Sequence, residues 1–330
     1  MNDLAIIGGS GFIGTRLCED LLKAGQPFRV IDKRISETYP DKTIVADVRR
    51  MDSLLSALDG CNAIINLAAE HRDDVRPLSL YDEVNVGGAQ NVCRAAENCG
   101  ISRIIFTSSV AVYGFAPPDT DETGAIKPFN EYGRTKAEAE DVYRRWQQND
   151  PTKRSLTIVR PTVVFGENNR GNVYNLLSQI NSGMFVMIGA GRNIKSMSYV
   201  GNLATFLVYM LHMHAGVHLS NYVDKPDLDM NQLIELAYAT LGKRRLFTPR
   251  LPYSIGYLVG GAFDAMAWLF RRKFPISRIR IRKFCTTTQF ASAAKTFGFE
   301  PLYSLQEGLE RTLKAELFGE AEEVPMFYSE

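Results

Sequence analysis

The chain holds no C-x-x-C pair, and its five cysteines, Cys18, Cys61, Cys93, Cys99 and Cys285, stand singly. Cys93 and Cys99 are six positions apart on one expected helix, a spacing that suits no metal, so no metal site is expected. An odd number of isolated thiols argues against a disulfide framework and for a reducing compartment. An excess of charge of one sign is missing too. The 38 Lys+Arg nearly match the 37 Asp+Glu, and the formal net charge of +1 gives no field that would draw nucleic acid. There is no internal repeat and no low-complexity tract. The apolar segment Tyr253 to Phe270 is broken by Gly256, Gly260 and Gly261 and contains Asp264, which argues against a transmembrane helix. The first residues already read as a core strand and leave nothing to act as an address, so the cytoplasm is the expected location.

With 330 residues, 45% hydrophobic and 23% charged, the chain has the make-up of a soluble globular protein with one large α/β domain, or one domain plus a smaller lobe. Short apolar runs alternate with amphipathic helical stretches in the first half. Strands are predicted at Leu4 to Ile7, Phe28 to Asp32, Thr43 to Ala46, Ala63 to Ala68, Arg103 to Ser109 and Leu156 to Arg160. Helices are predicted at Gly11 to Ala24, Met51 to Leu58, Val84 to Asn98 and Glu131 to Gln148. The runs are apolar nearly throughout, as expected when helices cover both faces of a parallel sheet. The expected fold class is therefore α/β, a Rossmann-type doubly wound parallel sheet over 1–165. A return of 196–213 to that domain is expected, with a smaller C-terminal substrate lobe over 166–330.

Gly8-Gly9-Ser10-Gly11-Phe12-Ile13-Gly14 follows the first strand and opens the first helix. Exposed N–H groups and the helix dipole there favour a pyrophosphate. Gly8 permits a tight turn, Gly11 lets the backbone approach phosphates, and Gly14 allows close packing of helix on strand. Phe12 and Ile13 supply the first helical N–H groups. Asp32 ends the second strand, where a carboxylate accepts from the adenosine ribose and repels a 2′-phosphate. NAD is thus expected over NADP, with Lys33 and Arg34 softening the preference. Tyr132 and Lys136 stand four residues apart at the start of a helix and share a face. An ammonium beside a phenol stabilises phenolate and suits it to acid–base chemistry. Thr107-Ser108-Ser109 ends the fifth strand, at the sheet edge where ligands bind.

Together with Asp47-Val48, Asn66-Leu67-Ala68-Ala69, Asn85, Thr107–Gly114, Arg160–Gly166, Tyr199–Ala204 and Ala294–Pro301, these motifs resemble the extended short-chain dehydrogenase/reductases. The resemblance is to their NAD-dependent nucleotide-sugar epimerase/dehydratase group, and within it to UDP-hexose 4-epimerases. It implies Tyr132 as acid/base, with Lys136 holding the nicotinamide ribose and lowering the phenol's pKa. Ser109, four residues before Tyr113, is implied as the catalytic hydroxyl. Asp47 and Val48 would flank the adenine, Leu67, Ala68 and Ala69 would line the phosphate and ribose side, and Thr107 and Pro161 complete the cofactor set. Asn85 would help hold the active-site backbone.

A 4,6-dehydratase of this group follows its hydroxyl with an Asp-Glu pair, where this chain has Val110-Ala111. The expected reaction is 4-epimerisation of a UDP-hexose or UDP-N-acetylhexosamine through a transient 4-keto intermediate. The alternatives are a reductase of a nucleotide-linked 4-keto-6-deoxy sugar, a sterol-type 3-hydroxy dehydrogenase, and a non-catalytic NAD-sensing protein. The resemblance matches Asn172 and Val173 to a nucleotide-binding pair and sets Lys195 where an arginine usually meets the diphosphate. Arg280 would be the second cation, and His71 a sugar contact. Val163 departs from the asparagine common in epimerases. A homodimer is implied, paired through Val84–Asn98 and Glu131–Gln148. Arg271, Arg272, Lys273, Arg278, Arg280, Arg282 and Lys283 follow the apolar segment with no acid between them. For 253–283 three readings stand open: a core helix with a basic diphosphate-binding extension, contact with an anionic membrane surface, or a partner interface.

Overall fold

Strands covered on both faces lose their polar alternation, and the seven that form the central sheet, all paired in parallel, come almost all from such segments. The computed structural model describes residues 3–72, 75–243, 248–270, 277–318 and 325–327; Arg271, Arg272 and Lys273 of the basic run lie outside the described residues. The first six strands are β1 (Asp3–Ile7), β2 (Phe28–Asp32), β3 (Thr43–Val45), β4 (Cys61–Asn66), β5 (Arg103–Thr107) and β6 (Ser155–Pro161). After them come β7 (Val163–Phe165), β8 (Met187–Ile188), β9 (Ile194–Tyr199), β10 (Gly216–Tyr222), β11 (Asp224–Asp229) and β12 (Arg250–Leu251). The central sheet runs β10-β6-β5-β4-β1-β2-β3. It is the Rossmann-type sheet expected, with a seventh strand added by β10, which pairs with β6 from Gly216↔Ser155 to Tyr222↔Pro161. This strand mixes polar and apolar residues because it is an edge, and its buried Asn221 is satisfied by the Tyr113 hydroxyl at 2.8 Å.

The helices are α1 (Phe12–Lys23), α2 (Met51–Leu58), α3 (Ser79–Tyr81), α4 (Gly88–Asn98), α5 (Glu131–Gln148), α6 (Asn172–Asn181), α7 (Val200–Tyr209), α8 (Met230–Thr240), α9 (Tyr253–Phe270), α10 (Arg278–Cys285) and α11 (Leu305–Phe318). Two apolar layers sandwich the sheet. Leu17 and Leu21 of α1 meet Leu203, Phe206 and Leu207 of α7 on one face. Leu54, Val92, Ala139, Tyr143 and Trp146 from α2, α4 and α5 fill the other. The helix expected from Val84 begins instead with a wide π turn, Asp82–Gly87, before α4. A single wide turn of this kind re-aims one side chain, here Asn85, which turns inward.

The remaining chain builds a second set of layers. β11, β9 and β7 form a three-stranded sheet, against which α6, α8 and α11 pack Leu177, Ile180, Ile234, Leu309 and Leu313. β12 pairs with β8 in parallel, and α9 and α10 lie beyond that pair. In the central sheet the strand order reverses between β1 and β4, so the carboxyl ends of these strands open a crevice, the usual ligand position in such folds.

Candidate active site

The glycine loop lies at that crevice. Gly8 takes φ +78°, and a Cβ there would meet the Ala68 nitrogen at 2.7 Å. At Gly14 a Cβ would reach Gly9 Cα at 2.5 Å, so Gly9, which the sequence reading did not single out, is part of the same close packing. Helix α1 starts after Gly11 with no side chain capping it. Its first-turn N–H groups, including those of Phe12 and Ile13, are left for an anion. Asp32 is braced by the Ser10 N–H at 3.1 Å, with exposed Lys33 following it. Leu67, Ala68 and Ala69 run beside the loop, and the Ala68 N–H is fixed on Asn66 Oδ1 at 3.0 Å. Thr107, at the end of β5, has a buried Oγ1 with no protein partner; Pro161 ends the neighbouring β6. A glycine cradle, an uncapped helix start, a braced carboxylate and an orphaned hydroxyl together fit a dinucleotide.

Two expected adenine neighbours behave differently. Asp47 turns its carboxylate to Arg49, at 2.6 Å, whose hydrogen bonds hold it below the usual carboxylate range. Val48 is buried, and there is no room for a Cβ at Gly88, which would come within 2.9 Å of Val48 Cγ2. The Val48 side chain packs against α4; it was expected to flank the adenine.

Asn130 caps α5 by accepting from the Gly133 N–H at 2.9 Å, and a Cβ at Gly133 would collide with the Ala111 oxygen. That contact presses the start of α5 against the 3₁₀ turn Val110–Tyr113, which Ser109 caps by accepting from Ala111 N at 3.1 Å. The result joins the three expected residues: the Ser109 hydroxyl lies close enough to the Tyr132 phenol to pull its pKa down, and Lys136 lies one turn further along the helix. Its ammonium donates to the Thr107 carbonyl at 2.6 Å and stands 4.5 Å over the Phe106 ring. Burial pushes the Tyr132 phenol up to about 12, against the pull of Ser109. Burial also brings Lys136 down to about 7, with Glu140 opposing. Desolvation is the larger influence on the phenol, and the Lys136 ammonium, expected to lower it, is turned to the Thr107 carbonyl.

Asn85 is buried, not solvent-facing. Its side chain accepts from Glu70 N at 2.8 Å and donates to Glu70 O at 3.0 Å and Thr135 Oγ1 at 2.9 Å. It clamps the chain after β4 to α5, and all of these contacts are to protein. His71 follows that clamp. Its ring is exposed, yet crowding by the protein lowers its pKa, Glu70 opposes the shift, and the charge of Lys136 reaches it.

Sequence reading missed the support beneath the catalytic residues. Glu140 and Arg160 form a buried ion pair at 2.6 Å. Ser108 Oγ donates to Glu140 at 2.6 Å, and Arg160 donates to the Tyr113 hydroxyl at 2.6 Å. Burial raises the Glu140 carboxyl, but the hydrogen bond and charge of Arg160 outweigh it and leave the group lowered. The network fixes Thr107-Ser108-Ser109 between α5 and β6. Its one local signal was spacing, because Glu140 stands four residues after Lys136.

On the substrate side the expected residues separate. Of the expected nucleotide pair, Asn172 opens α6 and is exposed, while the Val173 side chain faces the core. Lys195 on β9 donates to the carbonyls of Lys283 at 2.8 Å and Thr286 at 2.6 Å. It thereby caps the carboxyl end of α10, and burial lowers its pKa to about 8. The ammonium expected to meet a diphosphate is here bonded to these two carbonyls. Arg280 is on the exposed side of α10. A cleft of about 390 Å³ opens here, lined among others by Gly191, Arg192, Tyr253, Arg282 and Cys285.

Sheet, cradle and the Ser109–Tyr132–Lys136 arrangement define an extended short-chain dehydrogenase/reductase. Residues 4–223 match the NAD dependent epimerase/dehydratase family, and the chain belongs to that family. It is an NAD-dependent epimerase of the extended type, as the motifs led us to expect, and its cofactor is NAD. The chain is 49% identical over 333 residues, 100% of both chains, to N-acetyl-alpha-D-glucosaminyl-diphospho-ditrans,octacis-undecaprenol 4-epimerase of Escherichia coli O157:H7. It is 27% identical to UDP-glucose 4-epimerase of Vibrio cholerae, covering 94% of each chain. The solved structure of UDP-N-acetylglucosamine 4-epimerase from Bacillus cereus shares the fold, with a TM-score of 0.74, 17% identity and coverage of 95% and 98%.

Proposed function

We propose that the protein interconverts the 4-epimers of an N-acetylhexosamine carried on a polyprenyl diphosphate. The observation that carries this reading is the likeness over the whole chain, at 49% identity, to an enzyme named for such a substrate. A nucleotide-diphosphate sugar, a UDP-hexose or UDP-N-acetylhexosamine, is the second reading, supported by the likeness to UDP-glucose 4-epimerase. Both substrates present a sugar on a diphosphate, so the same chemistry serves either.

NAD, when bound, supplies the acceptor and then the donor of the hydride at C4. Tyr132 takes the proton of the 4-hydroxyl and returns it after the keto sugar has turned. Ser109, close enough to the phenol to lower its pKa, holds the same oxygen and shortens the proton's path. Lys136 holds the nicotinamide ribose, and Gly8, Gly11, Phe12, Ile13, Gly14, Asp32 and Thr107 hold the rest of the cofactor. His71 is placed to meet the sugar, and Arg280 the diphosphate. Residues 1–165 act as the cofactor domain and 166–330 as the substrate lobe. Two copies pair through α4 and α5, a dimer that light scattering would detect.

Among the described residues no helix is long and apolar enough to cross a membrane. The test is turnover by the purified protein of N-acetylglucosaminyl-diphospho-polyprenol in detergent and, separately, of UDP-N-acetylglucosamine, with products resolved by chromatography. Conversion of the lipid-linked sugar is expected. Turnover confined to the UDP sugar would move the assignment to the second reading, and a requirement for added NADH or NADPH with net reduction would overturn epimerisation.

A further inference from the structure

Helix α9 has two unlike sides. One is made by glycine: a Cβ at Gly256 would come 2.9 Å from Ile188 Cγ2, and one at Gly260 would come 2.9 Å from Arg278 N and from Ile281 Cδ1. The helix lies close against β8 and α10 along this side, where Asp264 also accepts from the Arg278 N–H at 3.1 Å. The other side carries Ile255, Leu258, Val259, Met266, Leu269 and Phe270. At 3.6 residues per turn these fall within an arc of about 120°, opposite Gly256, Gly260 and Asp264. They are exposed rather than packed, Leu258 at 68% and Leu269 at 66%. Helix α10 adds exposed Ile279 and the cations Arg278, Arg280, Arg282 and Lys283. In the sequence, Arg271, Arg272 and Lys273 follow directly on Phe270, and Asp264 is the single acid from 253 to 285.

We propose that α9 and α10 form a docking surface for an anionic lipid bilayer, the apolar stripe entering the headgroup–acyl boundary and the basic helix meeting lipid phosphates. An apolar arc beside a cationic cluster, on a helix not long and apolar enough to span, is the pattern of an in-plane interfacial helix. Charge selects the occupant, because a second copy of this chain would bring Arg278, Arg280, Arg282 and Lys283 against themselves. The surface is also tied to the catalytic side. Arg282 stands 4.4 Å over the Phe115 ring and Lys283 5.2 Å over Phe129, and these two rings stack at 4.7 Å. Phe129 lies three residues before Tyr132, and the cleft lined by 188–193, Tyr253 and Arg282 opens beside the docking helices. A sugar diphosphate whose lipid remains in the bilayer would reach the site from this side. In that respect the inference rests on the proposed substrate and deepens it.

The experiment is cosedimentation of the full chain with vesicles of phosphatidylglycerol and phosphatidylcholine, and of phosphatidylcholine alone, at about 50 mM and about 500 mM salt. Binding to the anionic vesicles at low salt is expected, weakened about tenfold at high salt and about tenfold in the Leu258→Glu/Leu269→Glu double variant. That variant should keep its turnover of a water-soluble, short-chain glycosyl diphosphate. Should it fail to fold, Ile255→Asn/Met266→Asn is the second variant, with the same loss expected. No binding to anionic vesicles at low salt would overturn the proposal, as would full binding by a folded variant. So would a lipid-free dimer that the variant converts to monomer, which would make the stripe an interface between copies. Docking without turnover of the lipid-linked sugar would sustain the surface and defeat the substrate assignment; turnover without docking would do the reverse.

Discussion

The catalytic half and the α9–α10 edge treat burial in opposite ways. Around Tyr132 the chain encloses polar groups and satisfies nearly all of them: Glu140 with Arg160 and Ser108, Asn85 with Glu70 and Thr135, Lys136 with the Thr107 carbonyl. At the edge it leaves Leu258, Leu269 and Phe270 in water and uses glycine to bring two helices together. A buried polar network fixes one geometry, because each unmade bond is expensive. An exposed apolar stripe fixes no geometry within the protein and gains only when something covers it. The first arrangement sets the chemistry, and the second sets where the chemistry takes place.

The largest effect expected is on turnover. Tyr132→Phe removes the group that exchanges the proton and keeps the ring, so epimerisation should fall about 10²–10⁴-fold while NAD still binds. Measured by product chromatography and by fluorescence titration with NAD, unchanged turnover would show that the enclosed half does not hold the chemistry. Next comes Glu140→Leu, which leaves Arg160 charged, buried and unpaired. A loss of about 3–5 kcal/mol in denaturant unfolding is expected. A loss below about 1 kcal/mol would mean that the pair behaves as a surface ion pair and that the contrast between the two regions is weaker than its burial indicates.

Lys136→Met sharpens the comparison differently, since function and stability should part. Burial lowers the lysine to about 7, whereas an unfolded lysine titrates near ~10.4. Between these values the unfolded chain binds more protons, so the wild type should gain stability as pH rises through that window. Below pH 7 the ammonium is buried and charged, and the full cost persists. The methionine variant should therefore be inactive yet more stable at pH 6, by about 1–3 kcal/mol after losing the hydrogen bond to Thr107. The difference should close towards pH 10. Thermal unfolding of both proteins across that range checks it, and a gap that widened with pH would contradict the sign.

What could be read from the sequence divides along the same line. The strands and helices of the central sheet, including α2 and α5 with the bounds expected for them, were legible because apolar runs and helical spacing are local signals. Ser109, Tyr132, Lys136 and the glycine loop were legible because their chemistry requires fixed spacing beside particular elements. Glu140 was not, since its partners Ser108 and Arg160 stand 32 and 20 residues away. Lys195 was assigned to a ligand because the carbonyls it caps lie 88 and 91 residues further on. Val48 and Val173 face the core, and the side an aliphatic residue presents is decided by neighbours that no local pattern names. β10 escaped because an edge strand with satisfied polar residues has no continuous apolar run.

The smallest effect expected is the one most telling for the edge. Leu258 is 68% exposed, so Leu258→Asn removes little apolar contact within the protein, and unfolding free energy should stay within about 0.5 kcal/mol of wild type. The same change at Leu203, which is fully buried between α7 and α1, would place an amide in the core and cost several times more. Chemical denaturation of the two variants side by side therefore tests whether the outer face of α9 belongs to the fold. A loss above about 2 kcal/mol at Leu258 would mean that the stripe is packed in solution, by a second copy or by the chain itself. In that case the glycine side would no longer be the only side of α9 that the protein covers, and the contrast between enclosed chemistry and open edge would give way to two cores of the same kind.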